Sequence, residues 1–151
     1  MVGVVAHTDV SIVTDKLGRL NQAELDWLLY EVSVLVEDQT KLRIANKKTA
    51  PDGTPWAPWS DRYAATRNTG NRRRHSLLVG EGDLRDSIQA YTMGMGSSSM
   101  AAVGSPLIYA ATHQFGDEAR GIPARPYLGI SADNHSDIEH FVAGRLEDLL
   151  Q

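Results

Sequence analysis

The chain contains no cysteine, which excludes disulfide bonds, thiolate metal sites, iron–sulfur clusters and cysteine nucleophiles. It also lacks a basic excess, because 15 Lys and Arg stand against 19 Asp and Glu, for a formal net charge of −4. Proteins that mainly grip nucleic acid usually carry a basic surplus. The longest stretch without charged residues, 87–116, is rich in Gly and Ser and contains Pro106, which argues against a membrane span. We therefore expect one soluble domain over residues 1–151, with no signal peptide and no membrane partner.

A long amphipathic helix is predicted near the start, after a short strand within residues 2–14. Asn21 stands three residues before Glu24, the spacing of a capping box. No Gly or Pro interrupts residues 25–48. The apolar stripe of this helix is predicted to comprise Leu25, Leu28, Val32, Leu35, Val36, Gln39 and Leu42.

Residues 49–80 differ in composition from the helical stretch before them, because they contain several prolines and glycines, and they are predicted to form an extended loop or arm. Pro51-Asp52-Gly53 is a turn sequence, since proline fixes φ and glycine accepts a positive φ. Trp56 and Trp59 follow among further prolines, which exclude a helix interior or a central strand there. Because such a segment is too long for an ordinary connector, we expect it to become ordered only in an assembly.

The remainder of the chain predicts an α+β fold. A helical turn within 82–88 leads into strands at 88–95 and 99–104, which are joined by a Gly-Ser turn. A short helix over 107–115 ends at Gly116, and an extended segment covers 122–129. A last helix runs from about 136 to 150. The expected architecture is a long N-terminal helix and a C-terminal helix packed on a small antiparallel sheet.

Signals for catalysis, cofactors or metals are weak, and the sequence predicts neither an enzyme nor a cofactor site. None of the 5 histidines forms an i, i+4 pair. Asp133, His135 and Asp137 could cluster, but acidic residues near a helix N-terminus are already explained by the helix dipole. No Gly-x-Ser-x-Gly elbow is present. A small hydrolase stays a less favoured alternative.

The one dense basic run, Arg72, Arg73 and Arg74, has two interpretations. It could contact DNA or a partner, with Trp56 and Trp59 stacking on bases. It could equally be a solvated loop in an acidic protein. Prolines around two tryptophans are more often found where the rings cover a core or anchor an interface. A DNA-binding assembly factor is therefore kept as a second alternative.

Four blocks in a fixed order carry a resemblance to a known family. They are Pro51-Asp-Gly-Thr-Pro-Trp-Ala57, Gly82-Asp-Leu-Arg-Asp-Ser-Ile88, Tyr109-Ala-Ala-Thr-His-Gln-Phe-Gly116 and Ile122-Pro-Ala-Arg-Pro-Tyr-Leu-Gly129. In these blocks the chain resembles the virion-morphogenesis, or tail-completion, family of tailed bacteriophages and prophages of the Mu-like kind. The resemblance covers most of the chain, from the first helix to the C-terminus.

The resemblance implies a structural virion protein at the head–tail junction or at the head-proximal end of the tail. Such a protein acts as a ring subunit, for which a hexamer is expected, and assembles in the host cytoplasm. Its implied partners are other copies of itself, the tail tube, and terminator or head–tail connector proteins, while genomic DNA passes through the lumen without sequence-specific binding. A tail terminator that caps the tube is the alternative role. The implied assembly motif comprises Pro51, Asp52, Gly53, Trp56, Trp59, Tyr109, His113, Gln114, Phe115, Gly116, Pro123, Arg125, Pro126 and Tyr127.

The two prolines near Arg125 lead us to predict that its side chain forms several hydrogen bonds within the protein. Pro123 and Pro126 hold the segment extended, so the guanidinium loses little entropy when it forms several hydrogen bonds. Its expected acceptors are carbonyls at the end of the 109–116 helix, or the carboxylates of Asp117 or Glu118. Arg125 would thereby shape the surface offered to a neighbouring subunit.

Overall fold

A computed structural model of the chain describes residues 17–67, 76–95 and 98–151. The predicted N-terminal strand within 2–14 and the basic run Arg72–Arg74 lie outside these ranges. In the described part of the chain, no helix is both long enough and apolar enough to cross a membrane.

The first helix, α1, spans Gln22–Leu42 and begins at the predicted capping box. The Asn21 side chain accepts from the Glu24 amide at 3.0 Å, and the Glu24 carboxylate accepts from the Asn21 amide at 2.9 Å. A π-helical turn, Arg43–Lys47, continues α1 and ends at Lys48 in the left-handed region.

The predicted apolar stripe of α1 is confirmed at Leu28, Val36 and Gln39, which are buried. It is wrong at Leu42, which is 55% exposed. The buried face instead passes through Thr40 to Arg43. Residues three or four apart share a helix face, so this path leaves Leu42 pointing away from the core.

A hairpin of two strands, β1 (Gln89–Met95) and β2 (Ser98–Gly104), forms the sheet. The strands are antiparallel, and their register runs from Gln89 opposite Gly104 to Met95 opposite Ser98. Both strands pack across α1. The predicted strand boundaries are therefore confirmed to within one residue.

Short helices connect these elements. They are α2 (Asp61–Arg67), α3 (Asp83–Asp86), α4 (Ala110–Phe115) and a 3₁₀ turn, Glu118–Arg120. Helix α2 was not predicted, because it lies just beyond the prolines that exclude regular structure. The segment 122–129 is irregular, and within the described ranges it forms one bridge, from Ile122 to Asp117. It is not a third strand of the sheet, since two prolines remove the amides that a ladder requires.

The last helix, α5, spans Ala132–Leu149 and begins four residues earlier than predicted. Ser131 is its N-cap, and the Ser131 hydroxyl accepts from the Asn134 amide at 3.2 Å. The cap at Ser131 therefore fixes where α5 begins, a position that the polar residues following it did not reveal in the sequence.

Two hydrophobic clusters hold the elements together and confirm the α+β architecture. The main core comprises Val36, Ile44, Ala50, Trp56, Leu84, Ile88, Val103, Ala110, Tyr127 and Leu128. The second comprises Leu20, Leu28 and Leu146, with Phe141, Val142 and Leu149 packed against it. The apolar side chains of α5 in the second cluster thus pack beside the start of α1, while the four sequence blocks contribute to the main core.

Candidate assembly site

Three of the four family blocks meet in space, and we call their meeting point the motif junction. It comprises segments 50–58, 109–116 and 122–129. The Trp56 indole donates to the Pro126 carbonyl at 2.8 Å, which joins the first segment to the third. The Arg125 amide donates to the His113 carbonyl at 2.7 Å, which joins the third to the second. The sequence-predicted motif is therefore one structural unit.

The turn at Pro51-Asp52-Gly53 sets the direction in which the first segment enters the core. The Gly53 amide donates to the Ala50 carbonyl at 2.9 Å, and Gly53 has a φ of 87°. Asp52 accepts from the Thr54 amide at 2.9 Å, and this bond holds the pKa of the Asp52 carboxyl below its usual value. The predicted turn is confirmed.

Trp56 and Trp59 have different environments. Trp56 is 5% exposed and belongs to the main core, which agrees with the expectation that these rings cover a core or anchor an interface. Trp59 is half-buried and packs edge-on against Tyr63, with ring centroids 5.6 Å apart. Trp56 therefore anchors the segment, whereas Trp59 lies at its surface.

Arg125 is buried as a tie between segments, but its acceptors differ from those predicted. The side chain is 7% exposed, and it donates from Nε to the Ala57 carbonyl at 2.7 Å and from Nη2 to the Pro58 carbonyl at 2.9 Å. Asp117 pairs instead with Arg120 at 2.6 Å. The reason is that the proline-rich segment forms no helix or ladder, so its carbonyls are open to a side-chain donor. Burial lowers the pKa of Arg125.

Gln114 binds the third segment as a strand would. Its Oε1 accepts from the amides of Tyr127 and Leu128, both at 3.0 Å, and its Nε2 donates to the Leu128 carbonyl at 3.3 Å. Tyr127 is fully buried and donates its hydroxyl to the Ala110 carbonyl at 3.1 Å. Burial raises the pKa of Tyr127 to about 12. Helix α4 and the third segment are thus joined along their length.

Gly116 ends α4 in a conformation that only glycine adopts readily. Its φ is 77° and its ψ is 178°. A Cβ at this position would lie 2.7 Å from the Ala124 amide nitrogen and 2.9 Å from the Ile122 carbonyl oxygen. The missing side chain is therefore what lets the third segment pass against the end of α4.

Arg43 is the part of this site that sequence reasoning missed. It is 4% exposed and donates to the carbonyls of Tyr127 at 2.9 Å and Gly129 at 2.8 Å. It also donates to the Asn134 side chain at 2.5 Å, which ties α1, the third segment and α5 together. Burial lowers its pKa. The only signal in the sequence was an arginine at a position where the helix periodicity expects an apolar residue.

The surface beside the motif junction is apolar. Phe115, the last residue of α4, is 67% exposed, and Ile108 just before α4 is 96% exposed. Tyr109, between them in sequence, is 39% exposed. Exposed apolar residues next to one another typically mark a surface that contacts a partner.

A partly open cleft of about 1020 Å³ lies on the side of the junction formed by α2, α4 and the 3₁₀ turn. Trp59, Tyr63, Tyr109, His113 and Arg125 are among the residues that line it. The rings of Tyr109 and His113 meet edge-on, with centroids 5.8 Å apart. Among the described residues, no three His, Asp or Glu side chains are grouped in a way that could hold a metal ion.

His113 makes the stability of the junction depend on pH. Its Nδ1 is buried without a hydrogen-bond partner in the described structure, and burial followed by the charge of Arg125 lowers its pKa below 6.5. The unfolded chain therefore takes up this proton first, so we expect stability to fall as the pH drops from above 6.5 towards the lowered pKa. His113→Gln should flatten this part of the curve of unfolding free energy against pH. An unchanged slope in the variant would contradict the assignment.

Comparison with known proteins shows which sequences are related to this chain. A sequence profile described as the phage virion morphogenesis family matches residues 5–147. Over 112 residues the chain is 35% identical to a protein of Escherichia phage Mu named "Putative capsid assembly protein G", covering 70% of this chain and 69% of that protein. No solved structure matches the chain significantly.

Proposed function

The chain belongs to the phage virion morphogenesis family, and we propose that it is a structural ring subunit at the head–tail junction or head-proximal end of a phage tail. In this proposal it completes the tail and joins it to the head, carries out no reaction and needs no cofactor. Its partners are five further copies of itself, which complete a hexameric ring, and the neighbouring tail-tube, terminator or connector proteins. Genomic DNA passes through the lumen without sequence-specific contact.

The observation that carries this proposal is the exposure of Phe115 on a rigid support. Gly116 and the third segment fix the end of α4. The Gln114 side chain is held by hydrogen bonds from the amides of Tyr127 and Leu128 within the same chain. Within the segment 109–116, Phe115 is 67% exposed and Tyr109 is 39% exposed, so Phe115 presents the more exposed of the two aromatic side chains. A rigidly held aromatic residue loses little entropy on binding, which makes it suited to anchor an interface.

The charge distribution supports a ring through which DNA moves. A basic lining would add phosphate contacts and hold the DNA in place. The chain carries a net charge of −4, and the hairpin lies in the stretch 87–116, which has no charged residue. An uncharged hairpin near the lumen would let DNA slide.

The test is a pair of substitutions at Phe115. Phe115→Asp should change the free energy of unfolding of the isolated protein by no more than about 0.5 kcal/mol, because an exposed side chain contributes little to the core. Thermal unfolding measures this change. It should abolish tailed particles when the variant is the only copy supplied in a phage complementation assay. Phe115→Leu keeps an apolar side chain and should preserve particle yield.

Two results would count against the proposal. Normal particle yield with Phe115→Asp would remove Phe115 from any assembly contact. Equal loss with Phe115→Asp and Phe115→Leu, both stably folded, would show that the site does not act through apolar burial.

A further inference from the structure

The strands of the hairpin carry none of the charges or prolines that usually protect the edges of a sheet. Each strand has seven residues, and among the described residues the sheet contains these two strands. Each strand therefore has one edge without a neighbour in the described structure. Natural proteins guard such edges with charged residues, prolines or bulges, because an open edge pairs with other chains. Neither strand contains a charged residue or a proline.

The direction of the Ala90 amide shows which backbone groups lie on the open edge of β1. This amide donates to the Glu37 carboxylate at 2.8 Å and not to β2. Alternate residues of a strand direct their amides to the same side, so the amides of Thr92 and Gly94 also point away from β2. Their register partners on β2, Ala101 and Ser99, direct theirs away from β1. In the described structure, none of these four amides has a backbone partner outside the hairpin.

The side chains of the hairpin favour contact with an identical hairpin. Met93 and Met100 are opposite one another in register, and they are 46% and 39% exposed on the face away from α1. Copies of a chain with net charge −4 repel one another on average. Neither strand carries a charge, and the Glu37 carboxylate that reaches the edge at Ala90 is paired with Lys41, so copies can approach along this edge with little of that repulsion.

We infer that the open edge of β1 in one copy pairs with the open edge of β2 in the next copy, which makes a continuous antiparallel sheet around the ring. The inference rests on the proposed ring and names the surface that closes it. Because two different edges meet, the contact is heterologous and closes by rotation, as a ring requires. Pairing like edges would instead give a two-fold dimer.

Proline and lysine at position 92 test the pairing on the purified full chain. Thr92→Pro removes an amide that the hairpin itself does not use, and Thr92→Lys places a charge on the open edge. Both should shift the native mass from the oligomer to the 16.5 kDa chain while circular dichroism stays unchanged. Thr92→Val keeps the amide and should keep the oligomer.

Single introduced cysteines test whether β1 of one copy meets β2 of the next rather than a like edge. The chain has no native cysteine, so only the introduced thiols can be cross-linked. Met93→Cys and Met100→Cys proteins are unfolded together, refolded as a mixture and treated with a short bismaleimide. Heterologous pairing predicts cross-linked dimers that contain one of each variant, with far less product from either variant alone.

The outcomes separate the inference from the proposed function. A wild-type oligomer that persists in Thr92→Pro and Thr92→Lys, or cross-links formed equally within a single variant, would overturn the edge pairing and leave the ring intact. A wild-type protein that stays monomeric at every concentration would overturn the ring and the pairing with it.

Discussion

Replacing Gly116 by alanine is expected to lower the free energy of unfolding by about 3 kcal/mol or more. Two effects add at this position. The backbone angles, φ 77° and ψ 178°, lie in a region that is essentially restricted to glycine. The new Cβ would also lie 2.7 Å from the Ala124 nitrogen, and a backbone atom can yield only if the third segment shifts. Chemical denaturation of both proteins measures the loss.

Gly121 offers a matched control for this substitution. It also has a positive φ, 66°, but a Cβ there would have no atom within 4 Å. Gly121→Ala should therefore lower the free energy of unfolding by only about 1–2 kcal/mol, the strain of placing alanine in the left-handed backbone conformation. Equal losses at the two positions would show that the third segment does not press against the end of α4.

Replacing Arg43 by alanine is expected to destabilise the protein by about 3 kcal/mol. The substitution leaves the buried carbonyl of Tyr127 and the partly buried carbonyl of Gly129 without their donor. It also frees the Asn134 side chain at the start of α5. The gain from no longer burying a charge offsets part of this loss, since burial already lowers the pKa of Arg43. Thermal and urea unfolding should agree on the size of the effect.

Arg120 provides the comparison for Arg43. It is exposed and pairs with Asp117 at 2.6 Å, so Arg120→Ala should change stability by no more than about 1 kcal/mol. Arg43→Met separates packing from hydrogen bonding, because it retains most of the side-chain volume. If Arg43→Met is as stable as the wild type, the two hydrogen bonds to Tyr127 and Gly129 are not what holds the third segment.

Features governed by neighbouring residues were predictable from the sequence. The capping box at Asn21 and Glu24, the turn at Gly53 and the helix end at Gly116 each depend on residues within four positions of one another. The hairpin was equally predictable, because its two strands are adjacent in the chain. In these places the local chemistry alone selects the backbone conformation.

The partners of the buried arginines were not predictable in this way. Arg43 reaches a carbonyl 84 positions away, and Arg125 reaches one 68 positions away. An arginine can satisfy many acceptors, so its choice is decided by which carbonyls the fold leaves unpaired nearby. The family blocks indicated that the three segments matter together, but only the structure shows that hydrogen bonds to the backbone join them.

Native mass spectrometry of the purified wild-type chain tests whether it assembles into a ring. We expect a closed oligomer with six times the mass of the 16.5 kDa chain, seen as a ring when the same sample is imaged by electron microscopy. A chain that remains monomeric at high concentration, both alone and with tail tubes, would contradict it.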